Sequence, residues 1–230
     1  MLPEQDLTAI LLTIKLAAVT TVILLVIGTP LAWWLAHTRN RGKALFEAVV
    51  ALPLVLPPTV LGFYLLLAFA PTSPFGQFWL SATGKPLAFS FSALVIGLVL
   101  YSLPFVVQPL QSSFEQLPKK LFEAAATLGA SSRDQFISLV LPLCKRSFIT
   151  AASLGFAHTV GEFGVVLMIG GNIPEETQVL SIVLYDKVEN LQYGEAHWLA
   201  AGLVIFSLVL LGFIYSLKRA DNKSTQVGML

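Results

Sequence analysis

Two ionisable side chains lie within an otherwise uncharged and strongly apolar part of the sequence. His158 and Glu162 are four residues apart in the stretch from Ser147 to Ile169. On a continuous helix this spacing places both side chains on one face. Ionisable groups in an apolar span are costly, so their presence points to a functional or structural task.

Three interpretations of this pair are open. A proton relay would use it directly, and a metal site would need further ligands from other helices. The third and favoured interpretation is a hydrogen-bonded pair that holds helices together beside a pathway. Gly161 and Gly164 flank Glu162, which favours close helix approach or a local break and therefore a structural or gating role.

Patterns for common enzymatic chemistry are missing from the sequence. Gly42-Lys43-Ala44 and Gly84-Lys85-Pro86 lack the upstream glycine and the hydroxyl residue of a phosphate-binding loop. Neither a His-Glu-x-x-His zinc motif nor a Gly-x-Ser-x-Gly nucleophile turn occurs. The single cysteine, Cys144, excludes an intrachain disulfide and a cysteine-rich metal site. We therefore expect no catalytic residue, no metal site and no ATP hydrolysis by this chain alone.

The elements that position these residues are apolar segments of membrane-spanning length. Of 230 residues, 56% are hydrophobic and 12% are charged, against about 25% charged in soluble domains. The net charge of +1 gives no basic face for nucleic acid. A helix of about 20 apolar residues crosses a bilayer core. Five stretches qualify: Leu16–Ala36 (extended outward by Leu7–Lys15), Ala48–Ala70, Pro86–Phe114, Ser147–Ile169 and Ala196–Leu217.

The basic residues predict the orientation of these spans. Eleven of the 14 lysines and arginines fall on one side of the predicted bilayer: Arg39, Arg41, Lys43, Lys119, Lys120, Arg133, Lys145, Arg146, Lys218, Arg219 and Lys223. Positive charge marks the cytoplasmic side, so we expect the N-terminus outside and the C-terminus in the cytoplasm. The short apolar run Val179–Tyr185 is too brief to span and is predicted to form a helix that lies on or dips into one face of the membrane.

Prolines interrupt the second predicted span. Pro53, Pro57 and Pro58 fall within six residues, and each removes a helical hydrogen bond. Irregular backbone is tolerated within a membrane where protein or a watery cavity satisfies it. The cluster therefore indicates either a protein-lined pathway or a kinked packing helix at the membrane edge. Thr59 follows the prolines directly and is a candidate hydrogen-bond donor.

The longest predicted cytoplasmic segment, about residues 115–146, has the pattern of two short helices joined by a sharp corner. Pro118 fits a helix start, and Gly129 fits a left-handed helix stop. Ser131 and Asp134 have the spacing of a capping box for a second short helix that runs to Leu141-Pro142. We expect a rigid, alanine-faced projection that fits a groove on a partner protein.

This segment resembles the EAA loop of ATP-binding-cassette importer permeases. The resemblance rests on Glu123-Ala124-Ala125, Gly129 and Leu141-Pro142. It continues in the proline cluster, in Gly161-Glu162-Phe163-Gly164 and in Asn172-Ile173-Pro174 with Thr177, which look like the molybdate permease subunits of that family.

The resemblance implies an all-α integral membrane fold of the type I ABC importer class, with five spans and a cytoplasmic coupling helix. It implies one permease domain over residues 1–230, with a membrane core over about residues 8–218. It also implies a homodimer in the bacterial inner membrane, two cytoplasmic ATPase subunits that bind ATP and Mg²⁺, and an external oxyanion-binding protein. The ATPase-coupling residues would be Glu123, Ala124, Ala125, Gly129, Leu141 and Pro142.

The pathway or gate residues expected from the same motifs are Pro57, Pro58, Thr59, His158, Glu162 and Asn172. Two positions depart from relatives: Gln178 stands where arginine is typical, and His158 stands where arginine is frequent. Both departures remove positive charge, so tungstate or sulfate remain alternatives to molybdate. A proton-coupled carrier that uses His158 and Glu162 is a more distant alternative. A membrane enzyme would need a convergent set of catalytic residues, which the sequence lacks.

Overall fold

The computed structural model describes the backbone of residues 4–227 and the side chains of residues 4–216. The described residues form helices and short connections, without a strand among them. The α-helices are α1 Glu4–His37, α2 Lys43–Val55, α3 Pro58–Phe69, α4 Pro74–Thr83, α5 Phe91–Glu115, α6 Lys119–Thr127, α7 Ser132–Gln135, α8 Leu141–Gly161, α9 Gly164–Gly170, α10 Leu180–Glu189 and α11 Tyr193–Val227. The predicted basic side chains of the tail, Lys218, Arg219 and Lys223, lie outside the described side chains.

The five predicted spans are present, but the second is sharply bent. Among the residues that the structure describes, four segments are long and apolar enough to cross a membrane: Glu4–His37, Phe91–Glu115, Ser132–Gly161 and Tyr193–Ser216. The pair α2 and α3 passes the same test together and is bent by 109°. The all-α membrane fold predicted from the sequence is therefore confirmed.

The core is a bundle of α1, α5 and α8, with α9 and α3 packed beside it. Small residues allow these helices to approach closely, as in membrane helix interfaces generally. A Cβ on Gly28 of α1 would lie 3.1 Å from Val106, and one on Gly155 of α8 would lie 2.9 Å from the same side chain. Three helices thus converge on Val106 of α5, which is fully buried.

The bend between α2 and α3 follows directly from the proline pair. Leu56 ends α2 in an extended conformation, with φ −71° and ψ 134°. The residue before a proline is disfavoured in the helical region, and Pro58 then begins α3 at a first-turn position that needs no N–H donor. Pro53 lies inside α2 without ending it. Two consecutive prolines therefore stop one helix and start the next.

The fourth span differs from the predicted Ser147–Ile169 at both ends. It begins at Ser132, so the predicted separate second short helix is wrong: α7 continues through a π-helical turn, Phe136–Val140, into α8. In this turn the Leu141 N–H donates to the Phe136 carbonyl, five residues back. Pro142 lacks an N–H and crowds the preceding turn, which accounts for the wider turn at this position.

The other end of that span stops at Gly161, and α9 is a separate helix. Two further helices lie outside the spans. The sequence did not indicate α4, which Ser73 caps by accepting a hydrogen bond from Gly76. The run predicted to lie on one face forms α10, which extends four residues beyond Tyr185, to Glu189.

The two ends of the bundle differ in charge. We call the end that holds residues 38–42 and α6 the basic end, and the end that holds Asp6, α10 and Glu195 the acidic end. The positive-inside rule predicts that the basic end faces the cytoplasm.

Candidate functional site

The two interrupted spans meet at their breaks. An added Cβ on Gly164, the first residue of α9, would lie 2.7 Å from the Pro58 Cβ at the start of α3. An added Cβ on Gly62 would lie 2.7 Å from the Met168 Cβ. Contacts this short exclude any side chain larger than hydrogen at the two glycines. The breaks after Leu56 and after Gly161 therefore form one region of irregular backbone within the membrane-spanning part.

Glu162 lies at this junction and stabilises it. Its backbone is extended, with φ −76° and ψ 134°, so α8 has already ended. The buried carboxylate accepts a hydrogen bond of 2.8 Å from the Val165 N–H in the first turn of α9. A carboxylate at a helix N-terminus satisfies unpaired N–H groups and complements the helix dipole. The local break that the flanking glycines favoured is present, with Glu162 as its cap.

A second hydrogen bond connects Glu162 to α10 at the acidic end. The Ser181 hydroxyl of α10 donates to the Glu162 carbonyl at 2.7 Å. Glu162 therefore connects the start of α9 to α10.

His158 contacts a different set of groups. Its Nδ1 lies 2.9 Å from the Ser102 hydroxyl of α5, and its ring stacks on Phe105 with centroids 3.9 Å apart. Glu162 directly follows Gly161, the last residue of α8, so its i, i+4 spacing with His158 reaches the end of that helix. The two side chains make separate hydrogen bonds, His158 with Ser102 of α5 and Glu162 with the α9 backbone.

The remaining predicted pathway residues fall into two groups. Pro57 and Thr59 are exposed beside the junction, where the first turn of α3 presents its N-terminal end. Asn172 lies instead at the acidic end, beyond α9, where its side-chain amide donates to Asp186 at 2.7 Å and its oxygen accepts from Gln178 at 2.7 Å. The structure therefore brings Pro57, Pro58, Thr59 and Glu162 together and places Asn172 apart from them.

The predicted coupling residues lie on a projecting helix at the basic end. α6 has no buried residue, and Glu123 and Ala124 are exposed. Gly129 ends the helix with φ +85°. The Gly129 N–H donates to the Ala126 carbonyl and the Ala130 N–H to the Ala125 carbonyl, each at 3.0 Å. These are the two bonds of a Schellman stop, so the predicted left-handed corner is confirmed.

The other side of this corner is the predicted capping box. The Ser131 side chain accepts from the Asp134 N–H at 3.2 Å, and the Asp134 carboxylate accepts from the Ser131 N–H at 3.1 Å. Leu141 and Pro142 are exposed where the π-helical turn passes into α8. All six predicted coupling residues thus lie in one continuous segment at the basic end.

An aromatic cluster, which the sequence analysis missed, seats α6 on the bundle. The ring of Trp33, near the end of α1, lies 6.1 Å from Phe122 of α6 and 5.6 Å from Phe136 of the π-helical turn. Beside it is a cavity of about 430 Å³, lined by Trp33, Phe122, Ser132, Arg133, Gln135, Phe136 and Ile137. The aromatic residue Trp33, near the end of an apolar span, was the sequence signal that could have predicted this cluster.

An ion-pair cluster, also missed, closes the acidic end. The Lys187 ammonium of α10 lies 3.1 Å from the Asp6 carboxylate of α1 and 2.6 Å from the Glu195 carboxylate of α11. Burial lowers the pKa of Lys187, but hydrogen bonds and charges from Glu195 and Asp6 outweigh it, so its pKa is raised above the usual value. The three helices are tied together by a lysine that stays charged.

No group of three or more His, Cys, Asp or Glu side chains converges in the part of the chain that the structure describes. The single thiol, Cys144, is buried, and burial is the ordinary state of a structural cysteine.

The fold and this site define a class of protein: a multi-pass α-helical membrane permease with an interrupted core and a projecting helix at its basic end. Residues 28–222 match the family described as the binding-protein-dependent transport system inner membrane component. The chain belongs to this family.

Individual relatives agree with this assignment. The chain is 57% identical over 218 residues to the molybdenum transport system permease protein ModB of Azotobacter vinelandii, covering 95% of this chain and 96% of that one. It is 34% identical to the sulfate transport system permease protein CysT of Synechocystis, covering 84% and 68%. The solved structure of a bacterial alginate ABC transporter in complex with an alginate-bound periplasmic protein matches with TM-score 0.75 at 16% identity, covering 96% and 81%.

Proposed function

We propose that this chain is the membrane-spanning subunit of an ATP-driven importer that carries molybdate into the bacterial cytoplasm. One observation carries the proposal: the projecting helix α6, with its Schellman corner at Gly129, belongs to a chain 57% identical to a molybdenum permease. The geometry of α6 supports the role of an ABC permease, and the identity to the molybdenum permease supports the substrate class.

The assembly that follows has several subunits. Two copies of this chain pair in the inner membrane, with one permease domain each and the basic end in the cytoplasm. Each α6 docks on an ATPase subunit, which binds ATP and Mg²⁺. An external binding protein delivers the oxyanion to the acidic end. The acidic end suits this arrangement because its carboxylates disfavour entry of a free anion, so the anion arrives enclosed in the binding protein.

Coupling is a mechanical consequence of the α6 geometry. ATP binding draws the two ATPase subunits together, and they carry the projecting part of α6 at Glu123, Ala124 and Ala125 with them. Because α7 and α8 form one 30-residue helix with the intervening turn, movement at Ser132 is transmitted to the junction at Gly161. The spans then rock between inward-facing and outward-facing states, and hydrolysis resets them.

The junction supplies the pathway and gate. Oxyanions bind to hydroxyl and backbone N–H donors more readily than beside carboxylates. Thr59 is exposed at the junction and lies in the first turn of α3, so its hydroxyl and the nearby backbone N–H groups could donate to an anion. We therefore assign it to the anion path. Glu162 acts as a structural residue of the gate, since its carboxylate is occupied by the α9 N-terminus.

The substrate assignment is tested by uptake of labelled molybdate at trace concentration. Cells that lack their own high-affinity system would express this chain with its ATPase and binding protein, and unlabelled tungstate and sulfate would serve as competitors. Uptake that tungstate blocks and sulfate does not is the expected result. Uptake of sulfate without molybdate would keep the permease assignment and change the substrate.

A further inference from the structure

A polar cluster at the basic end joins the interrupted span to α5. The Lys43 ammonium at the start of α2 lies 2.9 Å from the Glu115 carboxylate at the end of α5, and 3.5 Å from Glu47. The Gln111 side-chain amide of α5 donates to Glu47 at 2.6 Å and to Glu115 at 3.0 Å. We call these four residues the α2–α5 latch.

The latch holds a helix that has few other attachments. Val50 is the α2 residue that the structure buries, and α2 packs mainly on α5. Its other end is the 109° bend before α3. By contrast, Gly62 and Gly164 hold α3 tightly on α9. These attachments make the Leu56–Pro57 bend a natural hinge between a fixed α3 and a movable α2.

Two routes connect α2 to the projecting helix. Glu115 is the last residue of α5, and α6 begins four residues later at Lys119. A second route runs from Phe122 of α6 to Trp33, and from the adjacent Trp34 to Phe46 of α2, whose rings lie 5.0 Å apart. Movement of α6 therefore reaches α2 both through the latch and through the aromatic side chains.

The cluster is suited to repeated opening. The side chains of Lys43 and Glu115 are 28% and 41% exposed, and exposed ion pairs are weak because water competes for both charges. A cavity of about 450 Å³ lies between the two helices, lined in part by Glu47, Gln108, Gln111 and Glu115. Space and weak bonding together allow α2 to separate from α5.

We propose that movement of α6 opens and closes the α2–α5 latch, so that α2 swings about the Leu56–Pro57 hinge as a gate at the basic end. Lys43, Glu47, Gln111 and Glu115 are then positioning residues for transport that lie outside the projecting loop. This inference rests on the proposed function, because it assumes that an ATPase moves α6.

A charge swap in the reconstituted complex with its ATPase and binding protein tests the latch. Lys43→Glu should lower molybdate uptake per ATP hydrolysed by about fivefold, the upper range for an exposed ion pair. The double variant Lys43→Glu with Glu115→Lys should recover most of that ratio, because it restores an ion pair with the two charges exchanged between α2 and α5. Arg41→Glu, an equal charge change at an exposed position of the same connection, is the matched control and should leave the ratio unchanged.

Three results would overturn the inference: an unchanged ratio in Lys43→Glu, no recovery in the double variant, or an equal loss in Arg41→Glu. Absence of ATP-driven uptake by the unmodified complex would instead contradict the proposed function, so the two failures are distinguishable. The amount of assembled complex, measured by size-exclusion chromatography, separates loss of coupling from loss of folding.

A reversible cross-link tests the movement without depending on charge. Ala51→Cys and Gln108→Cys, which line the cavity between α2 and α5 and lie outside the latch, would be joined in a Cys144→Ala background by a short bis-methanethiosulfonate reagent in the assembled complex. Tethered complexes should hydrolyse ATP and import no molybdate, and dithiothreitol should restore import. Full import by tethered complexes would show that α2 does not separate from α5 during transport.

Discussion

The carboxylate of Glu162 stabilises a helix end, and this local bond determines what the residue can do in transport. The buried carboxylate accepts from the Val165 N–H at 2.8 Å, which commits one of its oxygens to the N-terminus of α9. Gly129 has a comparable local constraint, since φ +85° is a conformation that L residues rarely adopt. Both residues act through backbone geometry.

Glu162→Gln is expected to retain near-normal uptake, because the glutamine oxygen still accepts from the α9 N-terminus. Glu162→Ala is expected to lose uptake, since removal of a helix cap costs about 1 kcal/mol and leaves a buried N–H unpaired. Labelled uptake at matched expression is the measurement. Loss of activity in Glu162→Gln would favour the proton-relay interpretation.

Gly129→Asp is expected to assemble but to uncouple ATP hydrolysis from uptake. A Cβ at this position meets open space, so the cost arises from the positive φ and is about 1 kcal/mol. Gly129→Asn is the matched control, because asparagine tolerates the left-handed conformation and adds no charge. Normal uptake in Gly129→Asp would contradict the coupling role of this corner.

At the scale of elements, both interrupted spans break where the local sequence cannot continue a helix. Two prolines stop α2, and the Gly161-Glu162 pair stops α8. The halves beyond the breaks, α3 and α9, are short and would be weak alone. They are stable because Gly62 and Gly164 let them pack together at close range.

Gly164→Ala is expected to impair uptake strongly, because its Cβ would lie 2.7 Å from the Pro58 Cβ and would force the two breaks apart. Gly161→Ala, at the other side of the same break, is the matched control, since a Cβ there meets nothing within 4 Å. Uptake and complex stability would be compared for the two variants. Equal behaviour would mean that the α3–α9 contact is not needed for transport.

At the scale of the whole molecule, charge separates the two ends. Lys187 joins α1, α10 and α11 at the acidic end, while α6 projects from the basic end. Only 11% of the most apolar stretch of α11 is buried against the rest of the chain. A helix this exposed fits the bilayer or a second copy, so its environment is set by what surrounds the chain.

The orientation of the molecule can be tested by thiol labelling in a Cys144→Ala background. Tyr193→Cys at the acidic end should react with a membrane-impermeant maleimide in intact spheroplasts. Leu128→Cys, which is 88% exposed at the basic end, should react only after permeabilisation. The opposite pattern would reverse the predicted topology.

The sequence by itself determined the number of spans, the break at the proline pair, the left-handed corner at Gly129 and the capping box. These features depend on local causes: apolar length, the missing N–H of proline, the freedom of glycine and short-range side-chain bonds. The resemblance carried by Glu123-Ala124-Ala125 and Gly129 also needed no tertiary information.

Only the tertiary structure decided which distant residues meet. The contact of Pro58 with Gly164, the seating of Phe122 on Trp33, the Lys187 cluster and the α2–α5 latch each join segments far apart in the chain. It also decided the hydrogen-bond partners of His158 and Glu162, which are Ser102 of α5 and the Val165 N–H of α9. Local patterns specify where helices start and stop, whereas packing between helices selects their partners.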